Sequence, residues 1–191
     1  MRLTTVMSMI LLVALAACMA GQVAPPYDGK WWKSLSAAEQ NAFVSGYLDC
    51  YVWEAKGSDY SGQSIQQEIR SLSDFYWMNP GKMGTSVPEV LQKLDRPNHH
   101  EQTGEWHGVY DGDFWRQLSP PGRVAFIRGY IACVRLHLSN RFSRPLETYV
   151  KTISAWYGVS DTDESELNDG TANDKIGDVL ARLRDKTPQP K

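Results

Sequence analysis

The sequence contains a long internal repeat that decides the fold. Residues 27–50 have the sequence YDGKWWKSLSAAEQNAFVSGYLDC, and residues 110–133 have the sequence YDGDFWRQLSPPGRVAFIRGYIAC, at a constant offset of 83. Residues 65–76 match residues 146–157 at an offset of 81, and residues 90–94 match residues 179–183 at an offset of 89. Ungapped blocks of this length predict a tandem duplication, and each copy is one structural unit.

Each copy carries three helical signals. Apolar residues recur at helical spacing in both copies, and no stretch alternates with the period of a β-strand. Serine residues stand where the helices are expected to begin. Three of them have Glu or Gln three positions later, as in a capping box: Ser36 with Glu39, Ser64 with Gln67, and Ser86 with Glu89. The other two are Ser119, which precedes Pro120, and Ser143. The sequence therefore predicts an all-α fold, a tandem duplication of a three-helix unit packed about a pseudo-twofold axis.

Two matched cysteines are expected near that axis, because equivalent residues meet their own counterparts only there. Cys50 and Cys133 lie on the buried helical face, one turn beyond Gly46 and Gly129, whose small size would let the two helices approach closely. A disulfide between Cys50 and Cys133 is one interpretation, and two buried thiols that act as small apolar side chains are the other. The Asp-Gly pairs at Asp28 and Asp111 predict turns.

The N-terminus has the features of an export signal. Residues 1–17 contain Arg2 and then an apolar run that is too short to span a bilayer. Residues 15–18, Leu-Ala-Ala-Cys, resemble the lipobox of bacterial lipoproteins, which implies cleavage before Cys18 and lipidation of its thiol. The alternative is ordinary signal-peptidase cleavage after Ala20. We expect an exported protein that its lipid anchors in the cell envelope (periplasm or outer membrane in a Gram-negative cell).

These observations divide the chain into six segments. We predict a signal peptide (1–17), a tether (18–26), helical unit 1 (27–97), an inter-unit linker (98–109), helical unit 2 (110–186) and a tail (187–191).

The charges are nearly balanced overall but unequal between the copies. A total of 20 basic and 22 acidic residues lacks the basic excess of nucleic-acid-binding proteins, so we expect no nucleic-acid partner. Residues 27–109 carry 7 basic and 11 acidic residues, whereas residues 110–191 carry 12 and 11. The arginines of the second unit are therefore the candidate face for an acidic protein partner: Arg116, Arg123, Arg128 and Arg135, with Arg141 and Arg144.

No catalytic motif or phosphate-binding loop occurs, so we expect a protein without enzymatic activity and without a cofactor. An unrecognised hydrolase stays open as an alternative. His99, His100 and His107 in the linker suggest a metal- or small-ligand-binding envelope protein, but their spacing fits no defined metal site and makes this the weaker reading. Trp31, Trp77 and Trp106 are the candidates for an exposed aromatic patch.

Several short motifs carry a resemblance to a known family. Residues 43–50 have the pattern Phe-x-x-Gly-Tyr-x-x-Cys, and Gly62-Gln63, Asn79-Pro80 and Val90-Leu91 follow in order. This series resembles the small helical immunity proteins of type VI secretion amidase effectors (the Rap/Tai type). The resemblance implies an exported, non-enzymatic protein that occludes a toxin's active site.

This chain departs from the pattern of that family in three respects. The cysteine-containing loop before the second helix and the C-terminal cysteine are missing, and the tandem arrangement differs. No interface residues can therefore be carried over. The sequence predicts a lipid-anchored helical protein that binds a protein partner in the envelope, with an immunity-type inhibitor as an alternative.

Overall fold

The computed structural model describes residues 27–51, 64–94, 110–137, 142–159 and 173–184. These residues contain no β-strand, only one antiparallel bridge between Asp28 and Ser86, so the predicted all-α class is confirmed. The first half contains α1 (Gly29–Ser34), α2 (Ala37–Cys50), α3 (Ile65–Met78), a 3₁₀ turn (Pro80–Lys82) and α4 (Val87–Lys93). The second half contains α5 (Gly112–Gln117), α6 (Pro120–His137), α7 (Leu146–Trp156) and α8 (Ile176–Arg182).

Within the described residues, each half has one helix more than the three predicted. The predicted turns at Asp28 and Asp111 are wrong, because both residues are N-caps of short helices. The Asp28 carboxylate accepts hydrogen bonds from the backbone N–H groups of Lys30 and Trp31, at 3.0 and 2.9 Å. Asp111 caps α5 in the same way. The aspartate satisfies N–H groups that a helix leaves unpaired at its start, and this favours a helix over an isolated turn.

The predicted capping boxes have mixed outcomes. Those of Ser36 with Glu39 and of Ser64 with Gln67 are confirmed. Ser86 stands at the N-cap of α4, but its side chain caps nothing, and the first N–H group of α4, on Val87, donates instead to the Tyr27 carbonyl. The cap predicted at Ser143 is also wrong, because Pro145 takes the N-cap position of α7.

Helices α2 and α6 cross at the centre of the core with their backbones in contact. A Cβ atom placed on Gly46 would overlap the carbonyl oxygen of Phe126, and one placed on Gly129 would overlap the carbonyl oxygen of Phe43. The two overlaps are reciprocal between equivalent positions. Only glycine permits this separation, because every other residue brings a Cβ atom into the space that the facing backbone occupies.

A disulfide joins the same two helices one turn further on. Cys50 and Cys133 are fully buried and their sulfurs are bonded, with 6.1 Å between the Cα atoms. This Cα separation lies within the usual range for disulfides. The alternative of two free buried thiols is therefore not what the structure contains.

The two halves repeat their internal hydrogen bonds as well as their sequence. The indole N–H of Trp32 donates to the Ser73 hydroxyl at 3.2 Å, and that of Trp115 donates to the Ser154 hydroxyl at the same distance. Two further pairs of bonds run from a tyrosine hydroxyl to a backbone carbonyl: Tyr47 to Pro88 matches Tyr130 to Gly177, and Tyr76 to Thr85 matches Tyr157 to Asp174. A third pair joins backbone groups: the N–H of Val87 donates to the Tyr27 carbonyl, and the N–H of Ile176 donates to the Tyr110 carbonyl.

We expect Gly46→Ala and Gly129→Ala each to lower the free energy of unfolding by at least about 2 kcal/mol, because the added methyl group forces the helices apart. Alanine's higher helix propensity offsets only about 1 kcal/mol of this loss. Urea unfolding measures the change. Gly84→Ala is the control, because nothing lies within 4 Å of the added Cβ atom. Equal stability of all three variants would contradict the backbone contact.

Loss of the disulfide should also destabilise the protein. Reduction should add the mass of two hydrogens, and the Cys50→Ala/Cys133→Ala double variant should lose about 4–5 kcal/mol of unfolding free energy, because the unfolded chain regains the entropy of a long loop. A reducing agent should weaken the wild type but leave the double variant unchanged. An unchanged mass after reduction would show that the bond is absent in solution.

Candidate functional site

Several of the predicted site residues lie outside the described residues. These are the lipidation candidate Cys18, the histidines His99, His100 and His107, and also Trp106 and Arg141. Within the described ranges, no group of three or more His, Cys, Asp or Glu side chains could hold a metal ion. In those same ranges, no helix is both long and apolar enough to cross a membrane.

A buried carboxyl group that was not predicted from the sequence lies at the contact between the halves. Asp49 is 2 % exposed, and its Oδ2 atom has no hydrogen-bond partner among the described residues. The first turn of α8 packs against it, since a Cβ atom on Gly177 would lie 3.2 Å from Oδ2. The carboxyl group is therefore covered by protein and cannot reach a substrate in solution.

This environment changes the protonation of Asp49. Burial, and then the charge of Asp178, raise its pKa to about 8, against the smaller opposing effect of Lys175. The carboxyl group is thus largely protonated at neutral pH. Burial also raises the pKa of Tyr110 and Tyr130, and the charge of Asp49 adds to both shifts.

The equivalent pair of positions carries no charge. At the positions equivalent to Asp49 and Gly177, the sequence has Ala132 and Pro88. Each pair thus combines a larger residue from the first half with a smaller residue from the second, but only one of the two pairs is ionisable. The signal in the sequence was an aspartate beside Cys50 on a helix whose last nine residues are all buried.

The four arginines of the candidate partner face have different surroundings. Arg116 forms an ion pair with Asp113 at 2.7 Å and donates to the Tyr157 carbonyl. Arg123 donates to the Trp115 carbonyl at 3.2 Å, and its guanidinium lies 5.9 Å from the centre of that indole. These two side chains help to hold α5 in place, so they do not form one free surface with the other two.

Arg128 and Arg135 remain as an accessible strip on α6. They are seven residues apart, so they lie on the same side of the helix about 10 Å from each other. Arg135 is exposed and Arg128 is half-buried, and the charge of Arg128 helps to keep the pKa of Glu39 low, after the larger effect of the Ser36 hydrogen bonds. The residue equivalent to Arg128 is Ser45, which is completely buried.

The predicted aromatic patch is only partly present. Trp31 is half-buried, because its ring packs against Tyr27 and Phe43 with centroid distances of 4.9 and 5.0 Å. Trp77, by contrast, is 78 % exposed, and the adjacent Met78 is 64 % exposed. Among the described residues, these two are the exposed large apolar side chains. The candidate functional surfaces are thus the Arg128–Arg135 strip and the Trp77–Met78 pair.

No protein-family model, curated protein or solved structure matches the chain.

The raised pKa of Asp49 gives a pH-dependent stability with a definite sign. Between about pH 4 and pH 8 the folded protein holds a proton that the unfolded chain has lost, so the contribution of Asp49 to stability is greatest in acid and falls as the pH rises. We expect Asp49→Asn to remove this fall, which has an upper limit of about 1.4 kcal/mol per pH unit.

Urea unfolding at several pH values between 5 and 8 measures the effect. The variant should gain stability relative to the wild type as the pH rises. Asp74→Asn, at an exposed position on α3, is the control and should run parallel to the wild type. If Asp49→Asn also runs parallel, the carboxyl group has an ordinary pKa.

Proposed function

We propose that this chain is an exported, lipid-anchored, non-enzymatic protein of the bacterial cell envelope that binds an acidic protein partner through the Arg128–Arg135 strip. The observation that carries the proposal is the difference between the two halves at this strip. Many of their internal hydrogen bonds are equivalent, yet α6 has Arg128 where α2 has the completely buried Ser45, and Arg135 lies exposed on the same side of α6. The shared fold does not require an arginine at the position of Arg128, so a binding role accounts for it better than a structural role.

The disulfide supports the exported location. Disulfides persist in oxidising compartments and are rare in the cytosol. The Cys50–Cys133 bond lies at the centre of the core, where it contributes to the folding of both halves. Such a bond suits a protein that folds after export, and it agrees with the signal peptide predicted for residues 1–17.

The placement of five of the described acidic side chains supports a non-enzymatic role. Asp28 and Asp111 cap helices, and Glu39 closes a capping box. Asp174 accepts a hydrogen bond from the indole of Trp156 at 3.1 Å. Asp49 has the most perturbed pKa of the described carboxyl groups, but it is buried away from any substrate. These carboxyl groups therefore serve the fold rather than a reaction.

Cross-linking in the producing cell tests the binding proposal. Full-length wild type, Arg135→Glu, Arg128→Glu and Lys93→Glu are cross-linked in the intact envelope, and bound proteins are quantified by mass spectrometry. We expect one protein that is enriched with the wild type and with the Lys93→Glu control. Its recovery should fall by about tenfold or more with either arginine variant, because a charge reversal places like charges opposite each other.

Two outcomes would contradict the proposal. One is the absence of any specifically enriched protein, and the other is equal recovery with wild type and Arg135→Glu. The binding should also weaken as the salt concentration rises, because exposed charges are screened. If the recovered protein is a cell-wall amidase, the partner is of the kind that the resemblance to immunity proteins implies.

A further inference from the structure

The C-terminal end of α3 exposes an apolar pair that the shared fold does not require. Trp77 and Met78 are 78 % and 64 % exposed. The equivalent residues of the second half are Gly158 and Val159, and Gly158 has a φ of 66° where α7 has already ended. The first half therefore continues its helix to present a tryptophan and a methionine to the surroundings.

Exposed charges accompany the pair. Arg70 lies on the same side of α3, two turns before Trp77. Lys82 follows in the 3₁₀ turn, with its ammonium group 5.8 Å from the centre of the Phe75 ring. Asp74 lies between Arg70 and Trp77 on this side of α3, and the charges of Asp28 and Glu89 act on the adjacent Tyr76, so acidic side chains accompany the cations here.

The N-terminal end of the described chain is fastened beside this pair. The N–H group of Gly29 donates to the Met83 carbonyl at 2.9 Å, and the Tyr27 carbonyl accepts from Val87. The ring of Tyr76, the residue before Trp77, packs directly on Gly29. The chain that leads back from Tyr27 to Cys18 thus starts beside the connection between α3 and α4, which begins directly after Met78.

The length of that chain limits how far the pair can be from an anchored Cys18. The nine residues from Cys18 to Pro26 span at most about 30 Å when fully extended. A lipid on Cys18 would therefore keep the Trp77–Met78 end of the molecule within about 30 Å of the bilayer, close enough to contact it. Tryptophan is enriched at the membrane–water interface, and cations are attracted to anionic lipid head groups.

The small apolar area of the Trp77–Met78 pair favours contact with a bilayer over contact with a protein. Two such side chains offer roughly 300 Å² of apolar surface, whereas a stable protein interface needs about 800 Å² on each partner. A lipid interface has no such requirement for area, since each side chain inserts independently. We propose that Trp77 and Met78 insert into the interfacial region of the membrane that holds the Cys18 lipid. This inference rests on the lipid anchor of the proposed function.

Residue-resolved oxidation tests this docking. The full-length lipidated chain is reconstituted into vesicles of phosphatidylethanolamine and phosphatidylglycerol, and hydroxyl-radical oxidation is quantified by mass spectrometry. Cys18→Ser, which cannot be lipidated, is oxidised in the same way in solution. Trp77 and Met78 should be oxidised several-fold more slowly in the vesicles, whereas Trp156 at the equivalent end of α7 should react equally in both samples.

A pair of variants assigns the protection to the two side chains. The lipidated Trp77→Ser/Met78→Ser variant should lose the protection of the neighbouring Met83. Arg135→Ser, at an exposed position in the other half, should retain it. The partner captured through the Arg128–Arg135 strip should be unaffected by the Trp77→Ser/Met78→Ser change.

The outcomes separate this inference from the proposed function. A lipid on Cys18 with undiminished oxidation of Trp77 overturns the docking and leaves the anchor intact. A mature N-terminus without lipid overturns both. Protection of Trp77 that occurs only after envelope proteins are added to the vesicles overturns the docking to lipid and assigns the pair to a protein.

Discussion

The contact between the backbones of α2 and α6 is the constraint on which the rest of the structure depends. Gly46 and Gly129 remove the side chains that would separate the helices, and the reciprocal carbonyl groups of Phe126 and Phe43 fill that space. At this separation the two cysteines one turn further on can bond. Both halves therefore share one core, although each also has its own internal hydrogen bonds.

Many contacts have an equivalent in the other half, and only some of these pairs are alike. The tryptophan–serine and tyrosine–carbonyl bonds occur in both halves, because each holds a helix of its own unit in place. One pair of equivalent positions differs: Asp49 lies against Gly177, and the equivalent residues are Ala132 and Pro88. The fold therefore accommodates a buried carboxyl group at one of two equivalent positions and a methyl group at the other.

Much of the fold could be predicted from the sequence, because local signals determine it. Helical periodicity and the side-chain chemistry of Ser36 and Ser64 are properties of neighbouring residues, and both capping boxes form. Ser86 shows the limit, because the start of α4 depends on Tyr27, which is distant in sequence. The candidate surfaces were harder to predict, because they too depend on residues that are distant in sequence. Whether Arg123 or Trp31 is free depends on the tertiary packing of Trp115 and Phe43.

The disulfide also has a mechanical consequence for a tethered protein. If the chain is held at its N-terminal end and a partner pulls on the second half, tension enters through α2 and must reach α6. The Cys50–Cys133 bond passes this load directly from one helix to the other, so a pull on the Arg128–Arg135 strip need not be transmitted through the chain that joins the two helices in the sequence. Under such a force the disulfide keeps the C-terminal ends of α2 and α6 together.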